Sequence, residues 1–110
     1  MTEVPTVKDW NRAIVSLTQA MMGAISSNFR MVALERFDDK WHAQYWLEAE
    51  CDEDREEIAD IDFELANFME DAPTSFEIVV VGTDPLFVSV PTQARLTVFR
   101  RREREDGTGV

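Results

Sequence analysis

The sequence predicts an α+β fold of two layers, in which two helices cover a four-stranded, mostly antiparallel sheet in the order α-β-β-α-β-β. Two segments repeat apolar residues every three or four positions, as amphipathic helices do. The segment between them alternates apolar and polar residues, as half-buried strands do. Of the 110 residues 45% are hydrophobic, which is enough for a core. We expect a single domain over residues 1–102 and a mobile tail over residues 103–110.

The first helix is predicted over residues 6–24. Thr6 and Asp9 have the spacing of a capping box, in which each side chain binds a free backbone N–H of the first turn. Gly23 is expected to help end the helix, because glycine readily adopts the left-handed backbone that follows many last turns. The face that should meet the core has helical spacing and comprises Val7, Trp10, Ile14, Leu17 and Met21.

Residues 29–50 are predicted to form two strands joined by a hairpin. In the second strand every other residue from Trp41 to Ala49 is apolar, so one face of this strand should be buried. The first strand, Phe29–Phe37, carries apolar residues on both faces, which indicates a central or bulged strand. The polar residues 38–40 suit the turn between the strands.

The second helix is predicted over residues 54–71. Asp54 and Glu57 again have capping-box spacing, and Pro73 should end the helix. The predicted buried face comprises Ile58, Ile61, Leu65, Phe68, Met69 and Ala72.

The remaining chain supplies the other strands. Residues 76–82 are rich in β-branched side chains and are predicted to form a well-buried strand. Residues 94–101 should form the last strand. Leu86–Val90 is compatible with a short strand or with an irregular apolar loop on the core, and Pro91 interrupts it.

The charge of the chain is concentrated in one region. The net charge is −11, which argues against binding to nucleic acid or to an anionic membrane surface. Residues 50–71 contain eleven acidic side chains and one basic one, a local net charge of −10, so the rest of the chain is nearly neutral at −1. No secretory signal, no apolar run of membrane-spanning length and only one cysteine are present, so we expect a cytoplasmic protein.

The sequence offers no catalytic, cofactor-binding or metal-binding constellation. Cys51 and His42 are nine residues apart and, on a continuous strand, would be separated by roughly 30 Å on opposite faces. There is no cluster of cysteines or histidines for zinc and no glycine-rich phosphate loop. We therefore expect no enzymatic activity and no cofactor, with a small metal-assisted hydrolase as the remaining enzymatic alternative.

Acidic residues of the second helix recur at spacings that place them on one flank. They are Glu53, Glu57, Asp60, Glu64 and Asp71. This flank is either a solvated helix surface or a docking surface for a basic partner. Asp38 and Asp39 at the hairpin tip are further candidates for such a contact. Trp46 lies on the polar side of its strand, where it is either a binding hot spot or covered by a second layer or by the partner in a homodimer.

Arginines cluster at the other end of the chain. Arg100, Arg101, Arg102 and Arg104 are diluted by Glu103, Glu105 and Asp106, and the cluster lacks the aromatic residues of an RNA-binding surface. We therefore interpret them as solvated charges at a strand end, which can pair with the acidic helix.

The layout as a whole resembles the small bacterial immunity proteins that are paired with contact-dependent and other polymorphic toxins. The resemblance spans roughly residues 7–103 and depends on four segments: LERFDDKWHAQYWLEAE, DEDREEIADIDFELANFMED, DPL…VP and VFRRRE. It implies a cytosolic protein without catalysis that binds a cognate toxin, often a nuclease with a basic channel, and blocks its active site. The alternative from a different class is an adaptor or homo-oligomeric structural protein.

Overall fold

A computed structural model describes residues 5–37, 39–69, 72–86 and 95–103. Its helices are α1 (Val7–Met21) and α2 (Asp52–Phe68), and its strands are β1 (Phe29–Phe37), β2 (Lys40–Leu47), β3 (Thr74–Val80) and β4 (Arg95–Arg100). The predicted order α-β-β-α-β-β is confirmed. Of the segment Leu86–Val90, only Leu86 falls within the described residues. None of the helices in these ranges has the length and hydropathy needed to cross a membrane.

The four strands form one sheet in the order β3-β2-β1-β4. Strand β1 is antiparallel to β2 and to β4, whereas β2 and β3 are parallel, so the sheet is mixed rather than mostly antiparallel. The physical reason is α2, which carries the chain back to the end of the sheet where β2 begins. There the Trp41 backbone N–H donates to the carbonyl of Pro73 at 2.9 Å, and Thr74 starts β3 opposite Trp41.

The core lies between the two helices and one face of the sheet. The predicted alternation of β2 is confirmed, since Trp41, Ala43, Tyr45 and Leu47 are all buried. Strand β1 proves to be both central and bulged, with one irregularity between Phe29 and Met31 and another between Val32 and Ala33. Aromatic rings meet edge to face across the layers, with the centroids of Trp10 and Trp41 4.9 Å apart.

Helix α1 starts as its sequence predicts but ends at Met21, before the predicted bound at residue 24. The Thr6 backbone N–H donates to Asp9 Oδ2 at 2.9 Å, and the Asp9 N–H donates to Thr6 Oγ1 at 3.1 Å. The helix ends at Met21, and Gly23 has a φ of 80°. Val7 was expected in the buried face but is largely exposed, because the buried stripe is centred on Ala13, Leu17 and Ala20 and the first turn lies outside it.

The start of α2 differs from the prediction. The helix begins at Asp52 with Cys51 at the N-cap position, so Asp54 is not the cap. Asp54 is buried instead, and its Oδ2 accepts hydrogen bonds from Ser26 Oγ at 3.1 Å and Asn28 Nδ2 at 2.9 Å. A buried carboxylate requires such partners, and these two fix the first turn of α2 to the loop before β1.

One residue of α2 and two residues of β3 are less buried than expected. Phe68, assigned to the inner face of α2, is 42% exposed because it lies at the border of the stripe formed by Ile58, Ile61 and Leu65. Strand β3 was expected to be well buried, but it is an edge strand whose described pairing is with β2 alone. Phe76 and Val80 on it are therefore partly exposed.

Candidate protein-binding surface

The outer side of α2 carries a row of exposed carboxylates. The row comprises Glu53, Glu57, Asp60 and Glu64, and we call it the α2 carboxylate row. Burial of Ile58, Ile61 and Leu65 against the sheet fixes the rotation of the helix, so the row faces solvent. Asp71, predicted to continue the row, and Asp38 at the hairpin tip lie outside the described residues.

The negative charge of the α2 carboxylate row is not neutralised within the part of the chain that the structure describes, where no member of the row forms an ion pair. Arg55 is the basic residue of this helix, and its guanidinium binds both carboxylate oxygens of Glu50 in the lead-in instead. These hydrogen bonds lower the pKa of Glu50. The helix dipole favours Glu53 in the first turn but not the later acids, which repel one another along the helix.

A large apolar side chain lies beside this row. Phe63 is 69% exposed, and the exposed Ala59 and Ala66 lie one turn before and after it. Phe63 was missed from the sequence because only the apolar residues of the inward-facing side of the helix were considered. A signal for it exists, since Phe63 lies two residues from both Ile61 and Leu65 and therefore points to the opposite side.

On the face of the sheet that points away from the helices, polar side chains of β2 and β3 bind one another. His42 Nδ1 lies 2.7 Å from Ser75 Oγ, and His42 Nε2 lies 3.3 Å from Glu77 Oε1. Gln44 Nε2 donates to Glu77 at 2.6 Å, and the hydrogen bonds from Gln44 and His42 lower the pKa of Glu77. His42 is directly opposite Ser75 and Gln44 is opposite Glu77, so these contacts are those of cross-strand neighbours on one face.

Trp46 belongs to the same face and is half-buried. The guanidinium carbon of Arg95 lies 5.3 Å from the centroid of its ring, so a side chain of the same protein covers part of it. Asp39 is exposed at the hairpin tip with a φ of 63°, a conformation that aspartate tolerates. Its Oδ1 lies 3.9 Å from Arg36 Nη2, a loose contact that leaves most of the carboxylate in water. The structure does not bring Trp46 or Asp39 into contact with the α2 carboxylate row.

A second charged cluster lies where β1 begins, and it is paired. Arg30 is 2% exposed; its Nε and Nη2 donate to the two oxygens of Glu103 at 2.7 Å each. Its Nη1 donates to the carbonyls of Gly82 and Asp84. Arg101 Nη2 contacts both Glu48 and Glu103. We call Arg30, Glu48, Arg101 and Glu103 the Arg30 network.

The Arg30 network corrects two expectations. The predicted pairing of the C-terminal arginines with the acidic helix is wrong for Arg101, whose carboxylate partners are Glu48 and Glu103. Glu103, assigned to the mobile tail, is held by two arginines, and the hydrogen bond from Arg30 lowers its pKa to about 2. Arg104 and the rest of the predicted tail lie outside the described residues.

Groups of three or more metal-ligating side chains do not occur within the ranges that the structure describes. Cys51 is free and half-buried at the start of α2, and His42 contacts Ser75 across the sheet. The surface chemistry that stands out is therefore the unpaired α2 carboxylate row with Phe63 beside it.

Comparison with known proteins agrees with the resemblance seen in the sequence. The family model described as MafI2 immunity protein matches residues 11–103, which include most of α1, all of α2 and the four strands. No curated protein matches the chain significantly. The family match covers most of the chain and confirms the expectation of a bacterial immunity protein of a polymorphic toxin system. The chain belongs to the MafI2 immunity protein family.

Proposed function

We propose that this immunity protein neutralises its cognate toxin by non-catalytic binding, with the α2 carboxylate row placed against a basic surface of the toxin so that the active site is covered. The observation that carries the proposal is the row itself: four exposed carboxylates on one flank of a helix, without a basic partner in the described chain. Family membership supplies the class of partner.

The physical argument starts from the cost of the row. Like charges at helical spacing destabilise a helix by about 0.2–0.5 kcal/mol per pair, and interleaved lysines would give the same solubility without that cost. An unpaired row raises the rate of association with a cationic surface and selects against acidic partners. Along the helix axis, Glu53 and Glu64 are separated by about 16 Å. A row of that length is suited to the phosphate-binding channel of an enzyme that acts on nucleic acid.

The face of the sheet that carries His42 and Trp46 is the rival surface, through which an adaptor or a homo-oligomer would bind. It supports binding less well, because Arg95 covers part of Trp46 and His42 and Gln44 already bind Ser75 and Glu77. Light scattering on the purified protein distinguishes the two cases, since a salt-insensitive dimer is expected only of the rival.

The test is a titration of the full chain against the toxin domain encoded beside it. That toxin domain is first identified by a growth assay, in which it inhibits growth and the wild-type chain relieves the inhibition. We expect Asp60→Asn with Glu64→Gln to weaken binding about tenfold and to flatten the dependence of Kd on salt between 50 and 500 mM NaCl. The control is Glu35→Gln with Asp84→Asn, which removes the same charge outside α2.

The two double variants separate a local surface from overall charge. A smaller effect of the control on Kd and on the salt dependence supports binding through α2. Equal effects of both variants would show that only net charge matters, and unchanged affinity of the α2 variant would reject the α2 carboxylate row as the binding surface. Circular dichroism verifies that each variant is folded.

A further inference from the structure

We infer that Phe63 is the apolar anchor of this surface and that the toxin bears an apolar pocket within a basic rim, which receives the ring. The inference depends on the proposed function and adds the chemistry of the contact. It names one residue that should determine how long the complex lasts and one feature that the partner must have.

The first argument is the position of Phe63. The ring points away from the core, on the opposite side of α2 from Ile61 and Leu65, and is 69% exposed. Its neighbours one turn away on either side are Ala59 and Ala66, whose side chains are too short to cover a phenyl ring. Phe63 therefore projects from the helix surface. It adds little to the free energy of folding, because the ring stays in water.

The second argument is the charge near the ring of Phe63. Asp60 lies one turn before Phe63 and is its neighbour on the helix surface, and Glu64 lies one turn after Asp60 in the same row of carboxylates. A partner that buries the ring must bring its own surface against these carboxylates, which selects cations at the edge of the pocket. Two copies of this chain that meet through their α2 faces do not meet that requirement, because like charges would come together.

The third argument is that aromatic and charged residues contribute differently to binding at protein interfaces. A few aromatic residues near the centre of an interface usually supply most of the binding energy, while the surrounding charged residues direct approach and specificity. Phe63 supplies the aromatic side chain, and the α2 carboxylate row beside it supplies the charged residues. Burial of the ring does not depend on ionic strength, whereas attraction by the carboxylates does, so the two contributions can be separated by salt.

The experiment compares Phe63→Ala with the matched control Met22→Ala in the full chain, using the same toxin domain. Met22 is 78% exposed at the end of α1, so its truncation removes a comparable exposed apolar side chain away from α2. We expect Phe63→Ala to raise Kd about 10- to 100-fold, mainly through faster dissociation, with an unchanged dependence of log Kd on log salt. Met22→Ala should leave Kd within about twofold of wild type.

Phe63→Leu provides a second variant that keeps an apolar side chain and should lose only part of the affinity. Unchanged Kd for Phe63→Ala, or an equal loss for Met22→Ala, would overturn the anchor. If Asp60→Asn with Glu64→Gln still weakens binding in that case, the proposed function stands without the anchor. If neither α2 variant changes Kd, both proposals are rejected. Urea unfolding checks that Phe63→Ala keeps its midpoint, as expected for an exposed ring.

Discussion

Carboxylates occur in two contrasting settings in this molecule. In the Arg30 network, Glu103 binds a guanidinium that is almost wholly buried, and both carry further hydrogen bonds. In the α2 carboxylate row, Asp60 and Glu64 are exposed and have no basic partner in the described chain. The contrast shows that acidity of a region says little about its role. Burial and pairing decide whether a carboxylate holds the fold together or remains available to another molecule.

The largest expected effect comes from breaking the buried pair. Glu103→Gln leaves the guanidinium of Arg30 buried beside a neutral amide, and we expect the free energy of unfolding to fall by about 2–3 kcal/mol. Glu57→Gln, the matched change in the α2 carboxylate row, should shift it by no more than about 0.5 kcal/mol. Urea denaturation followed by circular dichroism measures both.

The order of the two variants should be reversed when affinity for the toxin is measured instead of stability. Under conditions where both are folded, Glu103→Gln should bind the toxin domain like wild type, whereas Glu57→Gln should bind it more weakly. Equal shifts of the urea midpoint would contradict the distinction between the two settings. A loss of binding confined to Glu103→Gln would place the toxin contact at the Arg30 network.

Acid titration is the second way to sharpen the comparison. The pKa of Glu103 is lowered from its ordinary value of 4.5 to about 2, because Arg30 donates to the carboxylate and Arg101 adds to the effect. The unfolded chain then binds a proton more readily than the folded one, so this stability is present above pH 4.5 and is lost as the pH falls towards 2. Since Glu103 retains some contact with solvent, we expect a loss of about 1–2 kcal/mol.

The measurement is the difference between wild type and Glu103→Gln in urea at pH 6, 4.5 and 3. Burial raises the pKa of Asp62, which changes stability in the opposite direction, but both proteins share that contribution and it cancels. The difference should shrink towards pH 3. A constant difference over this range would show that Glu103 is not held as a carboxylate by Arg30.

What the sequence predicts well is local and periodic. The alternation of β2 and the spacing of Thr6 and Asp9 each depend on residues close in the chain, and both are confirmed. The direction of β3 is not written in its own residues, because it depends on which end of the sheet α2 reaches. Likewise Arg30 and Glu103 meet across 73 positions, a contact that only the assembled sheet brings about.

The candidate surface was predicted in part for the same reason. Helical spacing places Glu57, Asp60 and Glu64 on one flank, and the structure agrees that all three are exposed. The exposed ring of Phe63 depends on how α2 is rotated against the core, which the buried residues determine together. Sequence spacing gives the order of residues around a helix, whereas packing decides which of them meets solvent.

The smallest expected effect is also the one that separates the two settings most sharply. Removing the charges of Asp60 and Glu64, as Asp60→Asn with Glu64→Gln, relieves repulsion at helical spacing without removing an ion pair described in the structure. We therefore expect the free energy of unfolding to rise by about 0.3–0.5 kcal/mol, while toxin binding weakens. Urea denaturation at low salt measures the rise, and it should vanish at high salt because screening already removes the repulsion. A fall in stability would mean that these carboxylates support the fold, as Glu103 does. A rise combined with weaker binding would mean that these two charges lower the stability of the protein and contribute to binding of the toxin.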